Sequence, residues 1–199
     1  MKNDRIGAII LAGGKSSRMK FPKPWLSYDD DKLFLEHIID VYKRAGISNV
    51  VIVLNHSYCT GKWLKYFKLI ENDAIVTQNP QPDLGRIHSI KLGIRSLKKP
   101  FAFIQNVDNP FVKTDVIEML RNNANLHGTT IPTHLGKGGH PILINDSVQL
   151  EILKSPEKER NLRTIISKFP NQRIEVKDSA LLKNINTPEE YKQVMNGLV

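Results

Sequence analysis

Leu11-Ala12-Gly13-Gly14-Lys15-Ser16-Ser17-Arg18-Met19, with Pro22-Lys23 close behind, gathers two glycines, two hydroxyls, an arginine and lysines in one short stretch. It follows Ile6-Gly7-Ala8-Ile9-Ile10-Leu11, an apolar run that reads as a buried first strand. Glycines at a strand end let the backbone turn sharply and approach a ligand closely. Such a loop offers backbone N–H groups and fixed cations to a polyphosphate, and we read it as a nucleoside triphosphate site. The alternative is a solvated basic loop that only turns the chain. Gly14-Lys15-Ser16 looks like the end of a Walker A loop, but that motif needs a glycine five positions before Gly14. Ile9 stands there and Gly7 is off register, which argues against an ATPase-type phosphate loop.

Asp108 follows a second apolar run, Phe101–Val107, and Pro110 stops that strand from continuing. A carboxylate there sits at the rim of a sheet and could hold Mg²⁺ together with substrate phosphates; a turn-forming Asx residue is the other reading. Gly85-Arg86-Ile87-His88-Ser89-Ile90-Lys91-Leu92-Gly93 opens a helix after Asn79-Pro80-Gln81-Pro82 and suits an anion or a base edge, or is a plain helix start. His140, in Lys137-Gly138-Gly139-His140-Pro141, could contact an acceptor or simply shape a turn. Asn186, before Thr187-Pro188-Glu189-Glu190, could cap a helix or coordinate a metal through its amide oxygen.

The elements that must position these residues alternate along the chain. Strands are expected at Ile6–Leu11, Asn49–Leu54, Ala74–Thr77, Phe101–Val107, Gly128–Pro132, Pro141–Ile144 and Arg173–Val176. Helical stripes run through Leu33–Tyr42, stopped by Gly46, through Trp63–Phe67, and through Ile87–Leu97. Two more start at Thr114, read as an N-cap, and at Thr187-Pro188. Lys154–Asn161, the most polar segment, reads as a loop. Strand–helix alternation predicts an α/β fold with a mostly parallel sheet and helices on both faces. Ligands of such sheets bind outside the carboxyl ends of the strands, where several of these polar residues fall.

The 199 residues predict one domain with a substantial core, and 40% hydrophobic and 25% charged residues suit a globular protein. No apolar stretch approaches a membrane span, and the single cysteine, Cys59, rules out an internal disulfide and fits a reducing cytoplasm. Lys and Arg outnumber Asp and Glu by 29 to 20, giving a net charge of +9. That excess favours polyanions, small phosphorylated substrates or nucleic acid, but no long basic run or RNA-binding aromatic motif accompanies it.

Taken in order, Leu-Ala-Gly-Gly-x-Ser-x-Arg-Met with Pro22-Lys23, Asp108-x-Pro110, Gly139-His140-Pro141 and Asn-Thr-Pro-Glu-Glu resemble the molybdenum-cofactor guanylyl- and cytidylyltransferase family, over Ile6 to about Val194. The resemblance implies a single Rossmann-like three-layer domain over 1–199. It implies transfer of a nucleoside monophosphate from CTP or GTP to a phosphorylated acceptor such as molybdopterin, with Mg²⁺ as cofactor. Leu11, Ala12, Gly13, Gly14, Ser16, Arg18, Lys23, Asn79 and Ser89 would contact the nucleotide. Arg18, Lys23 and Asp108 would be catalytic, Asp108 and Asn186 would hold the metal, and His140 and Arg163 would meet the acceptor. Leu-Ala-Gly-Gly looks like the guanylyl branch, whereas Pro22-Lys23, Gly85-x-x-x-Ser89-Ile90-Lys91-x-Gly93 and Gly139-His140-Pro141-Ile142-Leu143 look more like the cytidylyl branch. The latter often has Asp where Asn186 stands, and glycines that Ser155–Arg163 lacks. A nucleotide or sugar-phosphate binder without turnover, or a transferase for sugar or alcohol phosphates, are the alternatives.

Overall fold

The computed structural model describes residues 3–156, 161–195 and 197. Its strands are β1 (Ile6–Ala12), β2 (Val50–Asn55), β3 (Ile75–Asn79), β4 (Phe101–Asn106), β5 (Thr129–His134), β6 (Lys137–Gly138), β7 (Ile142–Asn145) and β8 (Asn171–Glu175). Its helices are α1 (Phe34–Arg44), α2 (Leu64–Ile70), α3 (Arg86–Leu97), α4 (Thr114–Asn122), α5 (Asp146–Lys154), α6 (Leu162–Ile166) and α7 (Pro188–Met195). All the strands join one sheet, ordered β3-β2-β1-β4-β7-β5-β6, with β8 paired to β5. The β3-β2-β1-β4 half is parallel; β7 runs antiparallel to both β4 and β5.

Every residue of β1 is buried, because helices cover both faces of the sheet. Alternate residues part company. Ile6, Ala8, Ile10 and Ala12 join a core with Phe34, Ile38 and Tyr42 of α1 and Ile117 and Leu120 of α4. Ile9 and Leu11 face the other way, onto Ile90 and Ile94 of α3, Val148 and Ile152 of α5 and Ile165 of α6. The domain is therefore three-layered, as the strand–helix alternation implies.

Several local expectations change. Thr114 is the first residue of α4 and Lys113 holds the cap position, without a side-chain capping bond. Lys154 still belongs to α5, and Asn161 caps α6, its Oδ1 accepting from the Arg163 N–H at 2.9 Å. Residues 157–160 of that polar segment lie outside the described residues. Helix α5 was not anticipated. Its signature is Asn145, whose Oδ1 accepts from the Val148 N–H at 3.0 Å, followed by inward Val148 and Ile152 one turn apart.

On the α1 side, His37 stacks on Tyr28 with ring centroids 3.5 Å apart, and its Nε2 is buried without a hydrogen bond. Burial, helped by Arg44, lowers its pKa to about 4, so the fold holds it neutral. The unfolded chain takes up a proton near 6.5 and the folded chain only near 4. Stability is therefore expected to fall as pH drops through that window. Urea midpoints at pH 7.5 and 5.0 should show a smaller drop for His37→Phe than for the wild type; equal drops would contradict the assignment.

Candidate active site

The carboxyl ends of β1 and β4 lie side by side, with Leu11 opposite Asn106 and the Val107 N–H donating to the Leu11 carbonyl at 3.2 Å. The glycine loop leaves one strand as Asp108 leaves the other. They open onto a cleft of about 360 Å³ whose lining includes Leu11, Ala12, Gly13, Gly14, Ser16 and Arg18. Lys23, Ser89, Asp108 and Asn186 line it as well.

The loop is held by short-range bonds. Met19 is buried, and its N–H donates to the Ser16 carbonyl at 3.0 Å. Ser16 has φ 50°, the left-handed region that non-glycine residues seldom occupy outside functional turns. The Ser16 Oγ accepts from the Lys23 N–H at 3.1 Å, which draws Lys23 back toward the glycines. Asn55, at the end of β2, donates from Nδ2 to the Gly14 carbonyl at 3.4 Å.

Lys23 is the hub. Its Nζ donates to Asn186 Oδ1 at 2.8 Å and lies 3.4 Å from Asp108 Oδ2. Arg18 Nη2 reaches the same Asn186 oxygen at 3.3 Å. Two cations from early in the chain thus meet one amide from near its other end. The cap of α7 explains why Asn186 is free to do this. Thr187 Oγ1 accepts from the Glu190 N–H at 3.2 Å, and Glu190 Oε2 accepts from the Asn186 N–H at 2.6 Å. Thr187 and Glu190 form the capping box, so the Asn186 side chain is not spent on the helix.

Asp108 Oδ2 faces Lys23, while Oδ1 is buried and has no hydrogen-bond partner among the described residues. An orphaned, buried carboxylate oxygen is costly unless a cation or donor completes it. That fits a divalent ion, with Asn186 Oδ1 as a neighbouring oxygen donor. Among the described residues no cluster of three His, Cys, Asp or Glu exists, so phosphate oxygens and water would supply the other positions.

Asn79 does not line the cleft. It is fully buried; its Nδ2 donates to Ser89 Oγ at 3.1 Å and its Oδ1 accepts from the Gln81 N–H at 2.9 Å. It stands behind the wall and orients Ser89. His140 and Arg163 line a second cleft, of about 620 Å³. Burial and then Arg86 lower the His140 pKa to about 4, so its imidazole is neutral near pH 7. Sequence reasoning passed over Arg86, which lines both clefts, and Arg173, which lines the second. A clue lay in Gly85-Arg86 at a helix start.

The MobA-like NTP transferase domain model matches residues 8–174. A molybdenum cofactor cytidylyltransferase of Escherichia coli K12 is 24% identical over 189 residues, covering 94% of this chain and 93% of the relative. A probable molybdenum cofactor guanylyltransferase of Clostridium perfringens strain 13 is 28% identical over 201 residues, covering 94% and 95%. Among solved structures, the Rv0371C protein of Mycobacterium tuberculosis H37Rv, in complex with manganese, superposes with a TM-score of 0.72 at 16% identity, covering 96% of this chain and 98% of that one.

A Cβ on Gly13 would come within 3.0 Å of Ser89 Oγ and 3.1 Å of Asn79 Nδ2, whereas one on Gly14 would meet nothing within 4 Å. Gly13→Ala is expected to break the Asn79–Ser89 bond and cost about 1 kcal/mol, seen as a lower urea midpoint. Gly14→Ala should leave the midpoint where it is. Equal midpoints for the two variants would refute this packing.

Proposed function

The chain belongs to the MobA-like NTP transferase family, and we propose that it transfers a nucleoside monophosphate from CTP or GTP, with Mg²⁺, to a phosphorylated acceptor. The observation that carries the reading is the meeting of Lys23, Asp108 and Asn186 across the cleft from the Gly13-Gly14 loop. The whole chain would act as one nucleotidyltransferase domain, in the cytoplasm. No helix among the described residues is long and apolar enough to cross a membrane.

In this reading the acceptor phosphate attacks the α-phosphorus. A new P–O bond forms, the bond to the bridging oxygen breaks, and pyrophosphate leaves with that oxygen. A phosphate monoester is largely dianionic at neutral pH, its second pKa being about 6, so no side chain has to remove a proton. The main-chain groups of Gly13 and Gly14, the Ser16 hydroxyl and Arg18 would hold the triphosphate. Lys23 would offset charge growing around the α-phosphate. Asp108 Oδ1 and Asn186 Oδ1 would hold Mg²⁺, which when bound supplies Lewis-acid stabilisation of phosphoryl charge. Leu11, Ala12 and Ser89 would line the nucleotide, with Asn79 steadying Ser89. His140 and Arg163 would meet the acceptor: molybdopterin, or a sugar or alcohol phosphate.

Thermal stabilisation by GTP, CTP, ATP and UTP, each with Mg²⁺ and with EDTA, tests the reading. One triphosphate should raise the melting temperature in a Mg²⁺-dependent way; at ~100 times its dissociation constant a ligand adds about 2.7 kcal/mol. With that triphosphate, Lys23→Ala and Asp108→Ala should release pyrophosphate about 100-fold more slowly or worse, while melting normally without ligand. Tight binding without pyrophosphate release, across a broad acceptor panel, would favour a nucleotide or sugar-phosphate binder. No shift with any triphosphate would remove the reading.

A further inference from the structure

Among the described residues, Arg86 is the one that lines both clefts. It is the first residue of α3, and its guanidinium forms no hydrogen bond or ion pair with any described residue. Two groups register its charge: Asp108, in the nucleotide cleft, favours its charged form, and His140, in the second cleft, has its pKa lowered by it. Although Arg86 is exposed by area, enough protein surrounds the guanidinium to press its pKa downward. Its donors open onto the junction of the two clefts, where an anion can reach them.

The second cleft pairs that cation with apolar surface from Ile131, Ile142, Leu162 and Ile166. Arg163, like Arg86, has a guanidinium with no partner among the described residues, whereas Arg173 donates to the Gly136 carbonyl at 3.0 Å. His140 adds a neutral imidazole whose Nδ1 is buried and has no partner among the described residues.

Building on the nucleotidyltransferase reading, we infer that Arg86 grips the acceptor's reacting phosphate at the junction of the two clefts. The planar fork of a guanidinium can hold two phosphate oxygens at once and leave a third to attack. A dianionic nucleophile approaching a triphosphate meets strong repulsion, which a cation between the two anions reduces. Arg86 is the described cation placed to face both. In the transfer the gripped phosphate forms its bond to the α-phosphorus while pyrophosphate departs on the Lys23 side; Arg86 exchanges no proton.

The test is calorimetry with two titrations. First, wild type, Arg86→Met and Arg86→Lys are titrated with the α,β-methylene analogue of the triphosphate that stabilises the protein, with Mg²⁺. Second, with that analogue saturating, each is titrated with phenyl phosphate. Arg86→Met is expected to bind phenyl phosphate about tenfold more weakly or worse, with a clearly smaller loss for the analogue, which the glycine loop, Arg18 and Lys23 also hold. Arg86→Lys should fall between. Melting temperatures like that of the wild type establish that both variants are folded. Three outcomes overturn the inference: wild-type affinity for phenyl phosphate in Arg86→Met, no phenyl phosphate binding by wild type that holds the analogue, or equal loss of both ligands in Arg86→Met. Failure of the underlying reading shows separately, as wild type that does not bind the analogue at all, and takes the inference with it.

Discussion

The parallel pairing of β1 with β4 is the constraint on which the candidate site depends. Its register, from Ile6 opposite Phe101 to Leu11 opposite Asn106, brings both strands to their carboxyl ends together. Side chains alternate across the sheet, so a slip of one residue would turn Ile9 and Leu11 away from α3 and expel Ile10 from the α1 core. The two cores thus lock the register, and the register locks the distance between the glycine loop and Asp108. Little of the site is fixed by the site residues themselves; it inherits its geometry from apolar packing beneath.

The segment carrying Asn186 needs a separate tether, because it returns from the far end of the chain. Asn109 supplies it. This buried amide donates from Nδ2 to the carbonyls of Lys183 at 2.6 Å and Leu181 at 3.1 Å, and Gln105 Nε2 donates to the Asn109 carbonyl at 2.8 Å. The Ile185 N–H then donates to the Asp108 carbonyl at 2.7 Å, one residue before Asn186. A run of buried polar bonds is expensive unless each member is satisfied, and that cost makes the docking specific. Asn109 Oδ1 is the unsatisfied remainder.

Much of this was legible because it rests on local rules. The buried run Ile6–Leu11 ending in two glycines, the strand ending at Asp108 and the Thr187-Pro188 helix start each announce themselves by periodicity or capping chemistry. Helix α5 was missed because its buried face mixes Val148 and Ile152 with the polar Gln149, in a stretch of mixed polarity. Nothing in the local sequence around Asn109 says that its amide would find carbonyls more than 70 positions away. Arg86 escaped for the same reason. Its significance lies in opening onto two clefts, a property of tertiary packing and not of spacing along the chain.

Charge in the cleft at the carboxyl ends of β1 and β4 ties these points to chemistry. Arg18, Lys23 and Arg86 line it against the single carboxylate of Asp108. Asn186, where the cytidylyl branch often carries Asp, keeps the oxygen donor but contributes no negative charge. The consequence shows in Lys23, whose ammonium sits 2.8 Å from the neutral amide and 3.4 Å from the carboxylate. A second carboxylate at that position would hold a divalent ion more strongly, yet would also pin Lys23 in a tight ion pair and offset its charge. With an amide there, an ion would be held less firmly while the lysine would stay available to a phosphate. In the proposed reaction the balance of phosphoryl charge stabilisation would then move from the metal toward the side chains, and the chain would depend on Lys23 and Arg18 more than one with two carboxylates.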